Sequence, residues 1–126
     1  MKIIIDAQGG KNDGSFNNAA IINQAIDSVH KAGGGQVVIP SGGTYLSGSI
    51  QIKANVDLHL ESGAVLRASS DYADYTPNHN IKVLTDGTVD EFVLPQRAFI
   101  SAYKAHNARI SGDGIIDGNA DGFIAE

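Results

Sequence analysis

The sequence contains no cysteine and no tryptophan, and only three prolines and one methionine. Without cysteine, disulfides, thiolate nucleophiles, iron–sulfur clusters and cysteine zinc sites are excluded, and the redox compartment is unreadable. Positive charge is scarce too. Nine Lys and Arg against 14 Asp and Glu leave a net charge of −5, which lacks the basic footprint of a phosphate-backbone binder, so nucleic acid is not an expected partner. No apolar run approaches the roughly 18 residues of a membrane-spanning helix, and no membrane partner is expected. The N-terminal apolar run Ile3-Ile4-Ile5 is shorter than the roughly 7–15-residue heart of a signal peptide. The chain therefore reads as cytoplasmic as it stands, and as secreted or periplasmic if a signal has been removed.

Glycine is what the sequence has in excess: 15 of 126 residues, about 12% against a typical usage of roughly 7%. The glycines separate short β-branched runs instead of forming one low-complexity block, which predicts tight turns between short strands. One segment, 18–31, reads as a helix because Ile22, Ala25, Ile26 and Val29 recur at i, i+3, i+4 and i+7. Ser15, Asn17 and Asn18 are its candidate N-cap residues, Lys31 suits the negative end of its dipole, and Gly33-Gly34-Gly35 supplies the stop. Short strands are expected at 36–39, 44–46, 49–52, 56–60, 64–68, 99–102, 108–111 and 114–117, with no second helix. In 56–60, Val56, Leu58 and Leu60 share one face, and Asp57 and His59 the other. Turns of a few residues are too short for βαβ crossovers, which disfavours a doubly wound fold.

The segment from Asn55 to Val65 can be laid over that from Asn107 to Ile116 with a one-residue gap. Both read Asn, alternating strand, acidic turn, Gly, strand. Such self-similarity is the mark of a solenoid whose turns stack their apolar strand faces into one core, the alternative being chance likeness of two hairpins. Between the copies, 69–98 is polar and irregular, as expected of a loop excursion that lines a binding site.

Several stretches, in this order, resemble the polygalacturonase group, glycoside hydrolase family 28 of the pectin lyase-like superfamily. They are Gly10-Lys11-Asn12-Asp13-Gly14, Asn17-Asn18 before the helix, Gly33-Gly34-Gly35, Val37-Val38-Ile39-Pro40 and Gly43-Thr44-Tyr45-Leu46. Next come Asn55 to Leu66, Ile100-Ser101-Ala102-Tyr103, and Ile110-Ser111-Gly112-Asp113-Gly114-Ile115-Ile116-Asp117-Gly118-Asn119. The resemblance covers nearly the whole chain. It implies an all-β fold, a right-handed parallel β-helix with an N-terminal capping α-helix, of which residues 1–126 form a single domain: the cap and first turns of a longer chain. It also implies inverting hydrolysis of pectin-type polysaccharide by aspartate acid and base. Related openings occur in polysaccharide lyases and in non-enzymatic, glycan-binding or tailspike-like modules, which stay open as alternatives.

Inverting hydrolysis needs two carboxyl groups about 6.5–9.5 Å apart. The family draws them from Asn-Thr-Asp and Asp-Asp motifs, supported by Gly-His-Gly and Arg-Ile-Lys, and none of the four occurs here. No catalytic residue is assigned, and the 126-residue chain is expected to be inactive. Thr88-Val89-Asp90-Glu91 reads as a solvated acidic surface. Asp113 and Asp117 are read as turn residues in preference to calcium ligands. His30, His59, His79 and His106 lack zinc-ligand spacing, and His59 is read as facing outward. The glycines around Gly9-Gly10 and Gly14 are read as a cap turn in preference to a phosphate cradle. Neither metal nor cofactor is expected. For substrate, Tyr72, Tyr75 and Tyr103 are candidate stacking platforms, and Arg97 a partner for a sugar carboxylate. Tyr45 reads as core. Phe123 stands where the family usually carries tryptophan. The open end of the solenoid is a candidate surface for self-association.

Overall fold

The computed structural model describes residues 1–69, 82–83, 89–90, 100–102 and 105–118. Strand β1 (Lys2–Ile4), a 3-10 turn (Ile5–Gln8) and β2 (Asp13–Asn17) precede helix α1 (Ala19–Lys31). Then come β3 (Gly35–Ile39), β4 (Thr44–Ser47), β5 (Ile50–Ile52), β6 (Val56–Leu60) and β7 (Val65–Ala68). The remaining strands are β8 (Lys82–Val83), β9 (Val89–Asp90), β10 (Ile100–Ala102), β11 (Arg109–Gly112) and β12 (Ile115–Asp117). Apart from the small antiparallel pair β8–β9, every described pairing is parallel.

The strands stack as a solenoid. One sheet runs β1-β3-β6-β11, a second β2-β4-β7-β12, and a third pairs β5 with β10. The first full coil is therefore β3-β4-β5, the second β6-β7-β10, and β11-β12 begins a third. Ahead of them β1 and β2 supply two sheets, and α1 takes the place of the third strand, packing on β3 and β5. A helix can close the stack there because its apolar stripe, Ile22, Ala25, Ile26 and Val29, is fully buried against the core. Interior positions repeat from coil to coil: Val37, Leu58 and Ile110 share one register line, and Tyr45, Leu66 and Ile116 another.

Both ends of α1 are held by specific bonds. Asn18 is the N-cap, yet its side chain turns inward: Lys11 N–H donates to its Oδ1 at 2.8 Å, and its Nδ2 lies 2.9–3.0 Å from the carbonyls of Lys11, Phe16 and Leu46. The capping acceptor is instead Asn17, whose Oδ1 receives Ala19 N–H at 3.0 Å and Gly48 N–H at 2.9 Å. At the other end Gly33 adopts φ 99°, and the amides of Gly33 and Gly34 return to the carbonyls of His30 and Val29, a Schellman stop.

The internal repeat is realised as stacked coils, with Asp57 over Arg109, Leu58 over Ile110 and His59 over Ser111. One detail is corrected. Val65 pairs with Ile115, so the turn after β11 is two residues shorter than the turn after β6, not one. The sequence pattern gives no sign of β1, β2 or the 3-10 turn, and β8 and β9 pair inside 69–98, a stretch expected to be irregular.

Candidate functional site

The densest described polar contacts lie on the outer face of the first sheet. On the first sheet, Gln36, Asp57 and Arg109 stand in one row, and Val38, His59 and Ser111 in the next. Gln36 Nε2 donates to Asp57 Oδ2 at 3.0 Å, and the Ser111 hydroxyl lies 2.8 and 2.9 Å from the two Asp57 oxygens. His59 Nδ1 is 2.9 Å from Ser111 Oγ, and Arg109 Nε is 3.5 Å from Asp57. Asp57 is thus only 8% exposed. Burial raises its pKa, but the hydrogen bonds from Gln36 and Ser111 and the charges of Arg109 and His59 outweigh it, and the carboxyl sits below its ordinary range.

A serine, a histidine and an aspartate in contact invite comparison with a nucleophilic triad, and the order of contacts rules it out. In a triad histidine lies between serine and carboxylate and takes the hydroxyl proton. Here the serine lies between the other two and donates straight to the carboxylate, leaving its oxygen to accept from His59 Nδ1–H. The arrangement joins strands. It activates no nucleophile.

On the second sheet, Arg67 Nε pairs with Asp117 Oδ2 at 3.4 Å across the coils. Other carboxylates are also engaged. Asp27 bridges Lys31 and Lys53 at 2.9 and 2.8 Å, which brings its pKa down to about 2. Asp6 accepts from the buried Tyr45 hydroxyl at 2.6 Å, and burial followed by that carboxylate pushes the phenol above its ordinary range. Asp13 accepts the amides of Ser15 and Phe16, which lower it, and Glu61 accepts from Ser41 N–H.

Among the described residues, no group of three or more His, Asp or Glu side chains is placed to hold a metal ion. Asp117 is committed to Arg67. His30 Nδ1 lies 2.9 Å from Ala54 O, which ties α1 to the turn before β6. No described helix is long and apolar enough to cross a membrane. Gly9 ends the 3-10 turn, and Gly10 N–H returns to Ile5 O, a structural turn as read from sequence. Tyr45 is core. The candidate substrate contacts Tyr72, Tyr75, Arg97 and Tyr103 lie outside the described residues, as do Thr88, Glu91, His79 and Phe123.

Three parallel sheets capped by a helix, with polar rows outside and an apolar stack inside, define a right-handed parallel β-helix. No family model matches the chain. It is 31% identical over 121 residues to an exo-poly-α-D-galacturonosidase of Dickeya chrysanthemi, covering 93% of this chain and 19% of that protein. It is 34% identical over 119 residues to alginate lyase 7 of Azotobacter vinelandii, covering 94% and 13%. Among solved structures, a family 28 exopolygalacturonase of Yersinia enterocolitica superposes with TM-score 0.75 at 32% identity, over 94% of this chain and 21% of that one. The chain is similar to the N-terminal part of larger polygalacturonases and exopolygalacturonases of glycoside hydrolase family 28. It spans less than a quarter of the length of the curated relatives it matches.

Proposed function

We propose that this chain is the helix cap and first coils of a pectin-degrading glycoside hydrolase of polygalacturonase type. Its substrate is a pectin-type polysaccharide or oligosaccharide, cleaved with inversion by aspartates on coils beyond those described. The observation that carries this reading is the 31% identity to a galacturonosidase over 93% of the chain, joined to a coil stack in the same order. The coils here serve as scaffold and substrate flank. Residues 69–98, leaving the second sheet after β7, supply Tyr72, Tyr75 and Arg97 to the sugar, with Tyr103 following β10. The engagement of Asp6, Asp13, Asp27, Asp57, Glu61 and Asp117 in structural ties supports a segment that holds no acid–base pair.

A second reading, a β-eliminating lyase on the same scaffold, is favoured by the match to alginate lyase 7. Product analysis separates the two. The protein encoded by the whole reading frame, given polygalacturonate, is expected to release saturated galacturonate with new reducing ends. Products that absorb in the ultraviolet through a new double bond overturn hydrolysis in favour of elimination. Binding without cleavage, by a discrete trimer in sedimentation, overturns both in favour of a tailspike-like module.

The 126-residue chain also offers a surface for self-association. Ile110 and Ile116 are 45% and 41% exposed, whereas Leu58 and Leu66, one coil earlier on the same lines, are fully buried. Ile110 also lines a cleft of about 360 Å³ with Ile52, Ile100, Ala102 and Ala108. Concentration-dependent sedimentation that Ile110→Lys with Ile116→Lys abolishes is the expected result; an unchanged profile contradicts it.

A further inference from the structure

The row of side chains on the first sheet does something that the enzymatic reading does not require. Three donors from two different coils converge on one nearly buried carboxylate: Gln36 from the first coil, and Ser111 and Arg109 from the third, all on Asp57 of the second. From these contacts we infer that Asp57 is an acid-releasable latch, which holds the third coil on the second while ionised and lets it go when protonated.

The donor and acceptor inventory gives the reason. An ionised carboxylate only accepts, so it satisfies the Gln36 amide, the Ser111 hydroxyl and the Arg109 guanidinium together. Because the Ser111 proton points to Asp57, Ser111 Oγ is free to accept from His59 Nδ1–H, and the second coil grips the third twice. A protonated carboxyl adds a donor where donors already converge and forfeits the attraction of Arg109. Only one fully accepting oxygen is then left for Ser111 and Gln36 to share, so the tie to the third coil weakens.

The charged surroundings favour the ionised form. Arg109 faces Asp57 from β11, His59 neighbours it on β6, Gln36 of β3 is neutral, and Lys2 of β1 stands in the same row beyond Gln36. Since the folded carboxyl titrates below its unfolded counterpart, the latch is complete above the ordinary carboxylate range and is lost as pH falls through the depressed folded value. Two further side-chain ties between these coils are more exposed. Asn107 Nδ2 reaches Asn55 Oδ1 at 3.2 Å, and the Arg67–Asp117 pair is solvent-exposed. The third coil is therefore the first to leave in acid.

Amide hydrogen exchange on the 126-residue chain tests this, with protection corrected for the intrinsic pH dependence of exchange. Between pH 7 and pH 2 the amides of β11 are expected to lose severalfold more protection than those of β3. Asp57→Asn is expected to show the reduced β11 protection already at pH 7, with no further selective loss in acid. Parallel loss in β11 and β3, or a wild-type acid response in Asp57→Asn, overturns the latch. Should Asp57→Asn fail to protect β3, Ser111→Ala decides: lowered β11 protection at pH 7 supports the latch, and wild-type protection overturns it.

Discussion

Asn18 carries more of the cap than its position at a helix start implies. Its buried amide satisfies one N–H and three carbonyls drawn from the loop before α1 and from β4. Alanine takes the side-chain partner from Lys11 N–H and from the Lys11 and Phe16 carbonyls and leaves Leu46 O only the Asn18 backbone N–H, so Asn18→Ala is expected to cost about 2 kcal/mol or more in urea unfolding. An effect under about 1 kcal/mol, the scale of an ordinary exposed cap in a peptide host, contradicts this role. Gly35 is equally constrained: at φ 146° a Cβ would run into the Met1 carbonyl, across which β1 joins β3. Gly35→Ala is expected to destabilise by at least about 2 kcal/mol and to expose the β1 amides to exchange. At this scale the sequence was half legible. Placing Asn55 over Asn107 already sets Asp57 over Arg109 and His59 over Ser111, as found. It does not show that the pairs bond, because Gln36 and Ser111 lie 21 and 54 residues from Asp57 and only stacking brings them to it.

Helix α1 and strand β6 were the most legible elements because their apolar spacing is local. Ile22, Ala25, Ile26 and Val29 lie on one helical stripe, and all four are buried. Ile26→Ala removes a fully buried side chain from the plug over the first coil, and a loss of about 2–5 kcal/mol in a denaturant titration is expected. A value below about 1 kcal/mol contradicts the view that α1 closes the core. Strands β1 and β2 were not legible. Lys2–Ile4 is three residues long, and Asp13–Asn17 is polar and mostly exposed with no alternation. Each is a strand only because β3 or β4 offers it an edge. Turn length was similarly hidden. The acidic turn after β6 has a shorter counterpart after β11, and register alone reveals by how much.

The whole molecule is a stack whose inside is repetitive and whose outside is particular. The repetition made the fold readable from one sequence: a glycine-punctuated series of short strands, one capping helix and one internal repeat admit few arrangements besides a solenoid. The site was less readable. The aromatic and basic residues expected at the sugar fall outside the described residues, while Asp6, Asp27, Asp57 and Asp117 serve to hold coils, turns and helix together. The most direct test is turnover of polygalacturonate by the purified 126-residue chain, read as new reducing ends against a boiled control. No release above the control is expected. Measurable turnover would contradict the assignment of catalysis to coils beyond those described.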